Sequence, residues 1–363
     1  MASDAEGAAI SVDGHTEISV SVENTDGLTP DQTRDLLVTA FAMPRSEPNR
    51  SSVITNLLRK LAETDPFGAL QLADDIGSLR DTQRAKNQIL VVWGTNDPIA
   101  ALTWAETGLM NEPLSSRMDL LESIYEGYAA NDPAAAFQTA LIQLDASNPA
   151  GERLKREILE EIVEVQVENG QIASAQNAIE LMETGEMKNR LLRELVDEWA
   201  SFDPVAASEY VLTLGNEAGV SIKTALLSEW AENDPAAAAQ WLSTLDDDDP
   251  AIARASAEII RQWTRYDLNA SAEWLNSLPQ TPELDRAVAS YTYRAAEEDP
   301  SSAMSWAESI SNDGMRTRTM ERVAYTWRLS DPEAFEGFLS SSEFTEEQAK
   351  ALREAEPRGG RRR

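Results

Sequence analysis

The chain has 363 residues, with 31 Lys plus Arg against 63 Asp plus Glu, a formal net charge of −32, no Cys and one His. That composition excludes thiol nucleophiles, disulfides, iron–sulfur ligation, thiolate zinc sites and His-rich metal centres. It also argues against nucleic acid or an anionic membrane as partner, because both are held by a basic surface.

Residues 1–28 read as an N-terminal arm. Ile10, Val12, Thr16 and Ile18 alternate around Asp13-Gly14-His15, a pattern for either a β-hairpin or a disordered arm. His15 is then a turn residue with no catalytic partner near it in sequence. The first twenty residues lack the basic and apolar regions of a secretory signal. No apolar run reaches the ~18–20 residues of a membrane span. Localisation stays open: cytoplasmic by default, periplasmic if a signal or anchor was removed.

Thr29-Pro30-Asp31-Gln32 is a capping box that predicts a helix to about Ala42. From there to residue 342 one unit recurs. Asp-Pro stands at Asp65, Asp97, Asp132, Asp203, Asp234, Asp299 and Asp331, with degenerate copies at Gln171 and Asp267. The spacing averages about 33 residues. With Asp as position zero, small residues follow at +3 and +4 and a large one at +7, as in Ala237, Ala238 and Trp241. Upstream, aromatics sit at −4 and aliphatics at −7 and −8, as in Trp263, Ile260 and Ile259.

Those offsets define one helical face, not a strand. Asp is a good N-cap, and Pro suits the first helical position while breaking the helix before it. Each unit therefore reads as helix A, a tight turn and helix B. All nine Trp residues fall at −4 or +7. They are expected to fill the space between helices A and B and between neighbouring units, rather than to form a sugar-binding surface.

A helical hairpin of this length with small residues early in helix B resembles the tetratricopeptide-like class of α-solenoids, most closely at Asn169-Gly170-Gln171-Ile172-Ala173-Ser174-Ala175. The other copies depart from that family by replacing its Gly turn with Asp-Pro and lacking its Trp and Leu-Gly signature. The resemblance covers about residues 50–342. It implies an all-α, right-handed α-solenoid of about nine helix-turn-helix repeats, with helix A lining the inner surface and a partner-binding habit. Thr345-Glu346-Glu347-Gln348 opens a closing helix to about Ala355, so the repeat domain spans 29–355. Residues 356–363 form a basic tail.

Charge is distributed unevenly along each unit. Positions 0 to +11 contain no Lys or Arg in any copy. Arg recurs at −13: Arg84, Arg190, Arg254, Arg286 and Arg318. These five are the candidate partner-binding residues. Either each pairs with an acid on a neighbouring unit, as a ladder, or together they grip carboxylates of an acidic segment. Catalysis has no sequence signature here. There is no phosphate-binding Gly loop and no nucleophile elbow, and the recurring Asp residues are explained as caps. The run Asp246–Asp249 lacks the spacing of a calcium loop.

The expectation is a non-enzymatic protein–protein interaction scaffold without cofactor, catalytic residues or metal, binding a protein or peptide along the helix A face. The alternatives are a polysaccharide-binding or polysaccharide-acting helical protein and a structural protein that self-associates through its ends.

Overall fold

A computed structural model describes residues 8–12, 16–20, 25, 27–246, 248–279 and 281–356. His15 and the basic residues 358–363 lie outside the described residues. The body is helical. Two short strands precede it, β1 (Ala8–Val12) and β2 (Thr16–Val20), antiparallel with Ile10 opposite Ile18 and Val12 opposite Thr16.

The chain divides into two compact units, 1–191 and 192–363, the boundary falling within one helix. The first unit holds α1 (Pro30–Ala42), α2 (Arg50–Ala62), α3 (Pro66–Ala73), α4 (Leu79–Asn96), α5 (Pro98–Gly108), α6 (Leu114–Asn131), α7 (Pro133–Gln143), α8 (Pro149–Glu168), α9 (Ile172–Glu180) and the start of α10 (Glu186–Ala200). The second holds the rest of α10, then α11 (Pro204–Leu214), α12 (Val220–Asn233), α13 (Pro235–Leu242), α14 (Ala251–Trp263) and α15 (Leu268–Ser277). It continues with α16 (Asp285–Glu298), α17 (Pro300–Glu308), α18 (Asp313–Ser330), α19 (Pro332–Ser341) and α20 (Glu346–Arg353). Within each unit helices pack on the next in sequence, and the longer ones also on the next but one, as α4 does on α5 and α6, and α16 on α17 and α18.

One residue makes each tight turn. The Asp97 N–H donates to the Trp93 carbonyl at 2.8 Å, closing α4, while its carboxylate accepts from the Ala100 N–H at 3.1 Å, opening α5. Asp65, Asp132, Asp203, Asp234, Asp267, Asp299 and Asp331 do the same for their own helices. Such a cap stabilises by about 1 kcal/mol. Gln171 makes no cap. There Gly170 takes φ +70°, and the Gln171 N–H donates to the Gln166 carbonyl at 2.7 Å, a Schellman ending to α8.

Position +4 is fully buried in every pair: Ala69, Ala101, Ala136, Ala175, Ala207, Ala238, Ser271, Ala303 and Phe335. The aromatics at −4 and +7 meet inside their own pair. Trp93 lies 5.6 Å from Trp104, Trp199 5.9 Å from Tyr210, Trp263 5.9 Å from Trp274 and Trp327 4.9 Å from Phe338, all tilted. Each such contact contributes about 0.5–1.5 kcal/mol beyond area burial. Trp241 and Trp327 are buried and the other seven Trp half-buried.

In the second unit one core joins Ile260, Leu275, Tyr291, Met304, Val323, Trp327 and Phe335 to Leu352 of α20. The last helix is held by Arg353, whose Nε donates to the Glu336 carboxylate at 2.9 Å, and by Arg328, which reaches the Ala355 carbonyl. In the first unit α4 and α6 approach to backbone contact: a Cβ on Gly127 would lie 2.0 Å from the Val91 carbonyl oxygen, and one on Gly94 2.2 Å from that of Ile124.

Candidate functional site

The first turns of several of the longer helices carry cations of two sets with different duties. The inner set is at −15. Arg50 donates to the carbonyls of Phe41, Met43 and Ile76. Lys188 donates to Glu180, and Arg316 to Ile310 at 2.8 Å. In α8 the Gly170 turn adds a residue, and Lys155 does this work on the Leu141 and Leu144 carbonyls. These are the open carbonyls at the end of the preceding helices, where a cation is favoured.

The −13 series lies on another face, because two residues turn a helix by about 200°. Arg84, Arg254, Arg286 and Arg318 are exposed and make no hydrogen bond or ion pair among the described residues. Arg190 pairs only with Glu186 of its own helix, at 2.9 Å. No member of the series pairs with an acid on a neighbouring helix, so the ladder between units does not form among the described residues.

Arg254 of α14 and Arg286 of α16 line one groove of about 420 Å³, together with Pro250, Glu283, Asp285 and Met315. Of the acids there, Asp285 is buried and accepts the backbone N–H groups of Ser311 and Asn312, both at 2.8 Å. The similar groove between α8 and α10, lined by Arg153, Arg156 and Arg190, differs in that its arginines are paired with Glu157, Glu160 and Glu186.

Further along the same helices the charge changes sign. Burial, reinforced by Glu126, Glu122 and Glu164, pushes the Glu161 carboxyl up to about 7. Burial also raises Glu122, with the charges of Glu157 and Asp119 adding to it. In the second unit burial raises Asp197 against the pull of Arg193, and raises Glu229 beside Asp197 and Glu232. Asp249, from the acidic run, is instead held low by Lys223 and the Ala251 N–H, which outweigh burial.

Sequence reasoning singled out −13 and missed the −15 cations. Their signal was present as an Arg or Lys at −15 in copies such as Arg50, Arg117, Lys188 and Arg316, but only packing tells which of the two faces is covered. No helix among the described residues is long and apolar enough to cross a membrane. The chain matches no protein family, no curated protein and no solved structure.

Proposed function

We propose that the chain is a tetratricopeptide-like helical repeat protein: nine hairpins stacked as a right-handed α-solenoid, serving as a non-enzymatic scaffold. It binds a protein or peptide partner along the helix A faces. The observation that carries this reading is the pair Arg254 and Arg286, exposed, unpaired among the described residues and lining a common groove beside Met315. A chain with a net charge of −32 has acids to spare, yet leaves these two forks open. An acidic segment with an apolar residue next to its carboxylates has the matching chemistry.

The test is affinity capture with cross-linking, comparing the wild type with Arg254→Glu/Arg286→Glu. A partner cross-linked to helix A positions in the wild type and lost from a variant with an unchanged circular dichroism spectrum supports the scaffold. Capture that survives charge reversal refutes the groove. Cross-links confined to terminal helices of two copies replace it with self-assembly. The burial of Trp241 and Trp327 and the ring contacts of Trp93 with Trp104 and Trp263 with Trp274 weigh against a polysaccharide surface.

A further inference from the structure

Two helix pairs bridge equivalent positions with an ion pair, and a third has a cavity there instead. At −11, α4 carries Lys86 and α12 carries Lys223, and each ion-pairs with an acid at +15, Glu112 and Asp249 respectively. In α6 the −11 residue is Leu121, and the matching +15 residue is Ser147. The pair is absent there, as it is where −11 is Ile54, Leu192, Val288 or Met320.

Around Lys86 the cavity measures about 180 Å³. Around Leu121, between α5, α6, the loop after α7 and the start of α8, it measures about 540 Å³. That is within the size range of small-molecule sites, roughly 300–1,000 Å³. Leu102, Leu114, Met118 and Leu154 supply apolar wall. The loop is held close to α8: a Cβ on Gly151 would lie 2.2 Å from the Asp145 carbonyl oxygen.

Two polar groups of this cavity, Arg117 and Tyr125, have donors without an acceptor. Arg117 occupies the −15 position, where Arg50 satisfies all three of its nitrogens. Arg117 has one bond, from Nη2 to the Glu112 carbonyl at 3.4 Å, and its Nε is buried without a partner. Tyr125 also lines the cavity and makes no side-chain hydrogen bond among the described residues. Burial raises its phenol, so it stays a neutral O–H donor. Two acids line the cavity. Asp145 is turned to its own loop, accepting from Ser147 N at 2.8 Å and Ser147 Oγ at 2.7 Å. Glu106 is exposed to solvent.

We infer that this cavity binds a small apolar monocarboxylate, its hydrocarbon body against Leu102, Leu114, Met118 and Leu121 and its carboxylate on Arg117, with Tyr125 as second donor. The site is separate from the arginine groove and does not depend on the scaffold reading. An acceptor-bearing ligand fits because the unmet groups are donors and the buried Nε carries the cost of a missing acceptor nearby.

The test uses the full chain labelled at its methionine ¹³C-methyl groups, with decanoate, decanol and decylamine as probes. The Met118 methyl resonance, identified by its loss in Met118→Leu, shifts saturably with decanoate. Decanol and decylamine bind about tenfold more weakly or worse, and Arg117→Met weakens decanoate by about the same factor. The remaining methyl resonances report that the variant is folded. A second variant, Leu121→Lys/Ser147→Glu, rebuilds the Lys–acid pair of α4 and α12, fills the cavity and abolishes the decanoate shift. The inference is overturned by an unmoved Met118 resonance, by decylamine or decanol binding as tightly as decanoate, or by undiminished decanoate binding in the double variant.

Discussion

Glycine-to-alanine substitution has opposite consequences at two helical positions of this chain. Gly337 lies in α19, is exposed, and an added Cβ meets nothing within 4 Å. Alanine there removes glycine's helix penalty and stabilises by roughly 0.5–1 kcal/mol. Gly127 lies in α6, where the same methyl would sit 2.0 Å from the Val91 carbonyl oxygen and 2.8 Å from the Thr95 amide nitrogen. Ordinary contact needs more than 3 Å, so α4 and α6 must separate by about 1 Å over a face that includes buried Ile89, Leu90 and Ile124. Both obstructing groups are backbone and cannot swing aside. Overpacking costs about 1–3 kcal/mol, and the upper part of that range applies to a rigid obstacle. Subtracting the propensity gain leaves Gly127→Ala destabilised by about 1–2 kcal/mol. Urea denaturation followed by far-ultraviolet circular dichroism measures both, with Gly94→Ala expected to behave like Gly127→Ala. If Gly127→Ala is as stable as the wild type, or more so, the close α4–α6 contact is not what its glycines are for.

Removing a turn cap has a graded effect: Asp97→Ala costs about 1 kcal/mol and Asp97→Asn only a few tenths, read from the same urea midpoints. Gly170→Ala is destabilising by about 1–2 kcal/mol although its surroundings are open, because φ +70° is unfavourable for a residue with a Cβ. Glu161 gives a pH signature. Its folded value, about 7, is raised above the ordinary 4.5, so between those values the native state holds more protons than the unfolded chain. This group's contribution is therefore fully present below pH 4.5 and is lost as pH rises through 7. Glu161→Gln raises the melting temperature at pH 8 and flattens its change between pH 5 and 8; an unaltered profile refutes the burial of that carboxyl.

The individual helices were legible because their determinants are local. Asp and Pro at positions 0 and +1 carry a cap and a stop within four residues, and at every Asp-Pro turn the structure shows the Asp carboxylate accepting the N–H three residues on, as at Asp97, Asp234 and Asp331. The hydrophobic offsets marked the buried face down to the +4 position, which is fully buried throughout. The Asn169-Gly170 turn was recognisable for the same reason, since a positive φ selects glycine. What sequence alone left undecided was everything set by a second helix. Arg254 at −13 is open and Arg316 at −15 is bonded to the Ile310 carbonyl, yet both are arginines near the start of a long helix. Only the position of the preceding helix end distinguishes them. Leu121 reads as one more apolar residue at −11 until it is seen lining a cavity of about 540 Å³. The sequence by itself determined where helices begin, end and bury a stripe, because caps, φ preferences and side-chain periodicity act within a turn or two. Tertiary structure decided which cations are spent on carbonyls, which remain open, and where a cavity persists, because those outcomes depend on atoms tens of residues apart.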